Sequence, residues 1–167
     1  ISELEATDML QKVKDQYHSN FARGIAVMGS MPPGLSKDFY CSILDIAAGR
    51  HTKVLLDTND MVTDTVTALI SKGVETMIKL NARELTALMG VTGADGGEAA
   101  KETPMDAILT AVNMFAANIG KNDNKTPFFI GVTDGPFTSY LIRICGGAVT
   151  SLHAFKMPAL PRPLVNA

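Results

Sequence analysis

The stretch Thr76-Met77-Ile78-Lys79-Leu80-Asn81-Ala82-Arg83-Glu84-Leu85 passes from strand to helix with almost no connector, and the rest of the chain is read outward from it. Thr76-Met77-Ile78 is a short strand, Lys79-Leu80-Asn81 is its polar tip, and Ala82 to Met89 is a short helix. The same unit recurs on both sides. Upstream, Val54-Leu55-Leu56 ends at Asp57-Thr58-Asn59, and Ile25-Ala26-Val27-Met28 ends at Gly29-Ser30-Met31-Pro32-Pro33-Gly34. Downstream, Phe128-Phe129-Ile130-Gly131-Val132 ends at Thr133-Asp134-Gly135.

Helices are predicted between these strands. Ser2 and Glu5 stand in capping-box relation before Ala6, Leu10, Val13 and Tyr17, which recur at helical spacing. A second helix starts at Ser36, lays Phe39, Ile43 and Ala47 on one face, and stops at Gly49. A third takes Asn59 or Asp60 as its cap, buries Val62, Val66, Leu69 and Ile70, and ends before Gly73. Residues 91 to 102 read as a surface loop. Thr103-Pro104 then opens a helix with Ile108, Val112, Phe115 and Ile119 as its stripe, up to Gly120 and a polar linker over 121–125. The pattern changes at the end, where Phe137 to Ile144 and Ala148 to Phe155 flank Gly146-Gly147 as a β-hairpin before a tail with Pro158, Pro161 and Pro163. Strand and helix alternate four times before that hairpin. The expected fold is therefore α/β, a parallel sheet flanked by helices with a C-terminal antiparallel hairpin.

Composition bounds the function. A chain of 167 residues, 46% hydrophobic and 19% charged, suits one packed domain over 1–167. With 15 basic against 17 acidic residues the net charge is −2, which offers no footprint for a nucleic-acid partner. No apolar run approaches the roughly 18–20 residues of a membrane span, and no basic-then-apolar leader precedes Ile1. The expectation is a cytoplasmic protein with no membrane partner, its possible association into a homo-oligomer left open. The chain opens without a methionine, so the natural product is expected to be longer. Cys41 and Cys145 are read as reduced thiols, and His18, His51 and His153 share no site. No Ser/His/Asp or Cys/His set stands near a glycine elbow, so nucleophilic hydrolysis has no support. Nine methionines are read as core filler.

In a parallel sheet, ligands bind beyond the carboxyl ends of the strands, and all four such ends here are polar or glycine-bearing. Turn chemistry explains part of this. The glycine-proline loop is a rigid turn, and its two prolines exclude a dinucleotide or phosphate-loop fingerprint. Asn81 and Glu84 lie three apart, on one face of a helix start. Glu84 could hold a magnesium ion, Asn81 could orient water or phosphate oxygen, and Lys79 could add positive charge. Equally, Asn81 could cap the helix with Glu84 closing a capping box.

Taken in order, these pieces resemble the ribokinase-like (PfkB) carbohydrate kinases, particularly the 1-phosphofructokinase and tagatose-6-phosphate kinase branch. The resemblance runs through Gly29 to Gly34 with Asp38-Phe39-Tyr40, Leu55-Leu56-Asp57-Thr58, Ile78 to Leu85, and Val132-Thr133-Asp134-Gly135-Pro136. Leu164-Val165-Asn166-Ala167 looks like the run-in to that family's Gly-x-Gly-Asp motif. The resemblance implies a three-layer ribokinase-like fold, present here as a partial domain. It implies ATP and Mg²⁺ as cofactors and a sugar or sugar phosphate as small-molecule partner. Lys79, Asn81, Glu84, Thr133 and Gly135 would be the nucleotide and phosphate residues, with Glu84 on the metal and Asn81 acting on it indirectly. Gly29, Ser30, Pro32 and Gly34 would form a loop on the substrate side. Leu80 and Asp134 depart from the pattern, standing where the family usually has proline and a small or apolar residue. The catalytic base, expected after Ala167, is absent, so the chain alone is expected to be inactive. The alternative is a non-catalytic homologue acting in association or regulation.

Overall fold

A computed structural model describes residues 1–19, 23–48, 52–58, 62–91, 102–119 and 125–156. The predicted stops at Gly49 and Gly120, the Asn59 or Asp60 cap, the loop over 92–101, the linker over 121–124, His51 and the proline-bearing tail lie outside these residues. The elements run α1 (Glu3–Ser19), β1 (Gly24–Met28), α2 (Lys37–Ala48), β2 (Lys53–Asp57), α3 (Val62–Ser71), β3 (Thr76–Asn81), α4 (Ala82–Leu88), α5 (Met105–Ile119), β4 (Phe128–Thr133), β5 (Thr138–Cys145) and β6 (Ala148–Lys156).

The strands form one sheet in chain order, β1-β2-β3-β4-β5-β6. Pairing is parallel from β1 to β4 and antiparallel from β4 to β6. The Gly146-Gly147 turn closes the predicted hairpin with both residues at positive φ, 58° and 75°, where side chains are strained and glycine is not. At the other end of the chain, the Glu5 carboxylate accepts the Ser2 N–H and hydroxyl while Ser2 Oγ accepts the Glu5 N–H, the capping box expected for α1. The Ser2 backbone N–H, and then its hydroxyl, hold the Glu5 carboxyl below its ordinary range.

One expectation is corrected. Strand β3 does not stop at Ile78 but runs on to Asn81, with Lys79 inside it. Its side chains alternate, Thr76, Ile78 and Leu80 buried and Met77 and Lys79 exposed, so the lysine reads as an outward strand position and not as a tip.

Strands added in one direction by crossovers of one hand place their helices on one face. Accordingly α1 lies against α2, α2 against α3, α3 against α5 and α5 against α4. The face beneath them is dry, with Val54, Leu56, Ile78, Leu80, Ile130, Val132 and Ile142 buried. Phe115 from α5 meets Phe128 from β4 edge to face, ring centroids 6.3 Å apart at 63°. On the opposite face Met28 and Met77 are exposed, beside the half-buried Leu55 and Phe129. Among the described residues two of the three expected layers are present, a sheet and one layer of helices, in keeping with a partial domain.

Phe115 is fully buried where α5 packs on the sheet. Phe115→Ala is expected to lower the unfolding free energy by about 3–5 kcal/mol in a denaturant titration, and a loss below about 1 kcal/mol would contradict this packing.

Candidate functional site

Parallel pairing brings the carboxyl ends of β1 to β4 to one edge of the sheet. Met28 is level with Asp57, and Asn81 with Thr133. At the β1 and β2 tips the Gly29 N–H donates to the Asp57 carbonyl at 2.9 Å. Lys79 turns to the open face and grips the Asp57 carboxylate through both oxygens, at 3.0 and 3.1 Å. Both partners are partly exposed, so water screens this pair and it adds little stability.

The β3 and β4 tips form a separate site. Asn81 closes the strand in extended backbone, φ −80° and ψ 161°, and caps α4 directly. Asn81 Oδ1 accepts the Glu84 N–H at 2.8 Å, and Glu84 Oε2 accepts the Asn81 N–H at 2.8 Å. The reciprocal capping box allowed by the sequence is therefore formed. It does not use Glu84 Oε1 or the Asn81 amide nitrogen, so the pair keeps an acceptor and a donor for a ligand.

Across from this box, Thr133 ends β4 and Gly135 follows at φ 57° in a turn closed by the Phe137 N–H on the Asp134 carbonyl at 3.0 Å. Asn81, Arg83 and Glu84 on one side and Thr133, Asp134, Gly135, Pro136 and Phe137 on the other line a cavity of about 470 Å³. Of the five residues expected on the nucleotide side, Asn81, Glu84, Thr133 and Gly135 meet here, while Lys79 stands apart with Asp57. From the loop expected on the substrate side, Gly34 lines a different hollow, between α1 and α2.

Three features escaped sequence reasoning. Arg83 lines the cavity as its cation, but the spacing rule that singled out Asn81 and Glu84 passes over the two residues between them. Phe137 was assigned to the following strand, yet it belongs to the turn. Thr103 donates to Asp134 through its backbone N–H at 2.6 Å and its hydroxyl at 3.1 Å, a long-range pairing with no local signal.

The donor set suits a hard divalent cation in character. Glu84 brings a carboxylate oxygen that the cap leaves over, and magnesium keeps most of its shell as water, needing only one or two protein carboxylates. Among the described residues no group of three or more metal-ligating side chains converges. The two cysteines are free, and Cys145 Sγ donates to the Lys125 carbonyl at 3.2 Å. No helix among the described residues is long and apolar enough to cross a membrane.

A sheet of parallel strands in this order, helices on one side and an antiparallel hairpin at the end, is a partial ribokinase-like fold. No family model matches the chain. Among solved structures it is similar to phosphofructokinase-2 from Escherichia coli in complex with fructose-6-phosphate, at 18% identity and a TM-score of 0.60, covering 96% of this chain and 45% of that one. A point mutant of the same enzyme matches at 16% identity and a TM-score of 0.57, over 96% and 44%. The likeness is one of fold, and the chain spans less than half the length of these neighbours.

The cap carries its own stability. Asn81→Ala removes the acceptor for the Glu84 N–H and is expected to cost about 1 kcal/mol in urea denaturation, whereas Asn81→Asp, which keeps it, should cost well under half of that. Equal losses for the two variants would mean that the box does not hold the β3–α4 junction.

Proposed function

We propose that this chain is the phosphate-handling part of an ATP-dependent kinase that moves the γ-phosphoryl group to a hydroxyl of a sugar or sugar phosphate. One observation carries this reading: Asn81 and Glu84 from one junction and Thr133 and Gly135 from another line a single cavity at the carboxyl edge of the sheet. The edge of a parallel sheet is where backbone groups and helix starts converge on anions. Support comes from the fold neighbour, whose crystal holds a sugar phosphate.

Within this reading each residue has a task. Glu84, through the oxygen the cap leaves free, and Asn81 would hold Mg²⁺ with its waters, and the ion would neutralise charge on the ATP phosphates. Arg83 attracts the phosphate chain to the cavity mouth. Thr133 offers a hydroxyl, and Gly135, lacking a side chain in its left-handed turn, lets the nucleotide approach the backbone. Asp57 ends β2 on the same edge, and Lys79, paired with it from the open face short of the β3 tip, would turn from it to a phosphate oxygen. The turn bearing Gly29, Ser30, Pro32 and Gly34 sits at the far end of the row, a position suited to the acceptor. Catalysis rests on positioning and charge stabilisation.

The acceptor hydroxyl needs a base, and the chain contains no Gly-x-Gly-Asp sequence to supply one. We place that residue elsewhere in a longer polypeptide of the cytoplasm, so this chain alone does not turn over substrate.

Glu84→Gln separates the two uses of this residue, because a carboxamide oxygen can still accept the Asn81 N–H but brings no charge to a cation. In the intact protein the expected result is a fall of at least about 100-fold in turnover with a raised magnesium requirement, and stability within about 0.5 kcal/mol of wild type. An unchanged magnesium titration rejects the metal role. Failure of the intact wild-type protein to bind Mg·ATP by calorimetry rejects the kinase reading and favours a non-catalytic relative.

A further inference from the structure

Asp134 stands in the cavity wall as a carboxylate, and its surroundings explain why it is there. It is 8% exposed and its partner Thr103 is 5% exposed. A carboxylate so buried is costly unless hydrogen bonds replace its water. Both oxygens are satisfied by one residue: Oδ2 accepts the Thr103 N–H at 2.6 Å and Oδ1 accepts the Thr103 hydroxyl at 3.1 Å. Thr103 leads directly into α5, whose first turn closes with the Ile108 N–H on the Pro104 carbonyl. That helix is anchored in the core through Ile108, Val112 and Phe115. The carboxylate also sits just ahead of the helix start, where negative charge is favoured.

The base of the cavity is already set by the pairing of Asn81 with Thr133. The turn after Thr133 lies beyond the ladder. It joins the paired strands β4 and β5, and the Asp134 side chain ties it in addition to the start of α5, while the Asp134 carbonyl holds the turn itself closed on Phe137. We propose that Asp134 is a positioning residue that struts the Thr133–Gly135 wall against the start of α5 and thereby sets the gap across which this wall and the Asn81–Glu84 box receive the nucleotide phosphates. The inference rests on the kinase reading above. It assigns Asp134 no contact with the cation.

Calorimetry of the intact protein with a non-hydrolysable ATP analogue and magnesium, paired with thermal melting, tests the strut. Asp134→Ala should weaken binding about tenfold, and Thr103→Val should shift it the same way and add little on top of Asp134→Ala. Asp134→Asn should stay within about threefold of wild type, since a carboxamide can accept the Thr103 N–H and donate to its hydroxyl. Asp134→Ala that melts lower but binds like wild type overturns the proposal, as does Asp134→Asn binding as weakly as Asp134→Ala, which would indicate a charge or metal role. If Asp134→Ala does not fold, unchanged binding by Thr103→Val overturns it instead. Absence of binding by wild type removes the kinase reading and the strut with it, whereas wild-type binding with insensitive variants removes the strut alone.

Discussion

Parallel pairing of β1 to β4 in chain order is the constraint on which the other features depend. Each parallel step needs a crossover, and crossovers of one hand taken in one direction set α2, α3 and the α4–α5 pair on the same face. That face becomes the core. The carboxyl ends of the strands then share an edge without any further instruction, so residues distant in sequence arrive together there. Asn81 lies level with Thr133 because β3 and β4 are in register, and for no other reason.

The same order leaves the other face of the sheet bare among the described residues. Met28, Leu55, Met77 and Phe129 present apolar surface there, and Lys79 and Asp57 pair across it. A parallel sheet is ordinarily covered on both sides. The chain spans less than half of the phosphofructokinase-2 chains it resembles in fold, which is in keeping with an unfinished domain.

At the β3–α4 junction, structure and proposed chemistry use the same two side chains. The capping box consumes one oxygen of Asn81 and one of Glu84, and each keeps a second polar atom. Capping and cation binding are therefore compatible uses, and pre-ordering by the cap lowers the entropy lost when a ligand is gripped. The choice left open by spacing alone, cap or ligand, was not an exclusive one.

Much of this was legible in the sequence because its signals are local. Apolar runs closed by Gly29, Asp57 and Thr133 announce strands, Ser2 with Glu5 and Asn81 with Glu84 announce helix starts, and Gly146-Gly147 announces a hairpin, each through the backbone conformations those residues favour. The alternation then implies the parallel sheet and its polar edge. What lies across the chain was not legible. Lys79 was taken for part of the strand tip, though only the pairing with β4 extends β3 through it and turns its side chain to Asp57. The grip of Asp134 on Thr103 likewise exists only once α5 is docked, because a hydrogen bond between distant residues leaves no periodicity to read. Local conformational preference is written residue by residue, whereas the partner of a buried polar group is chosen by the packing that removes water from it.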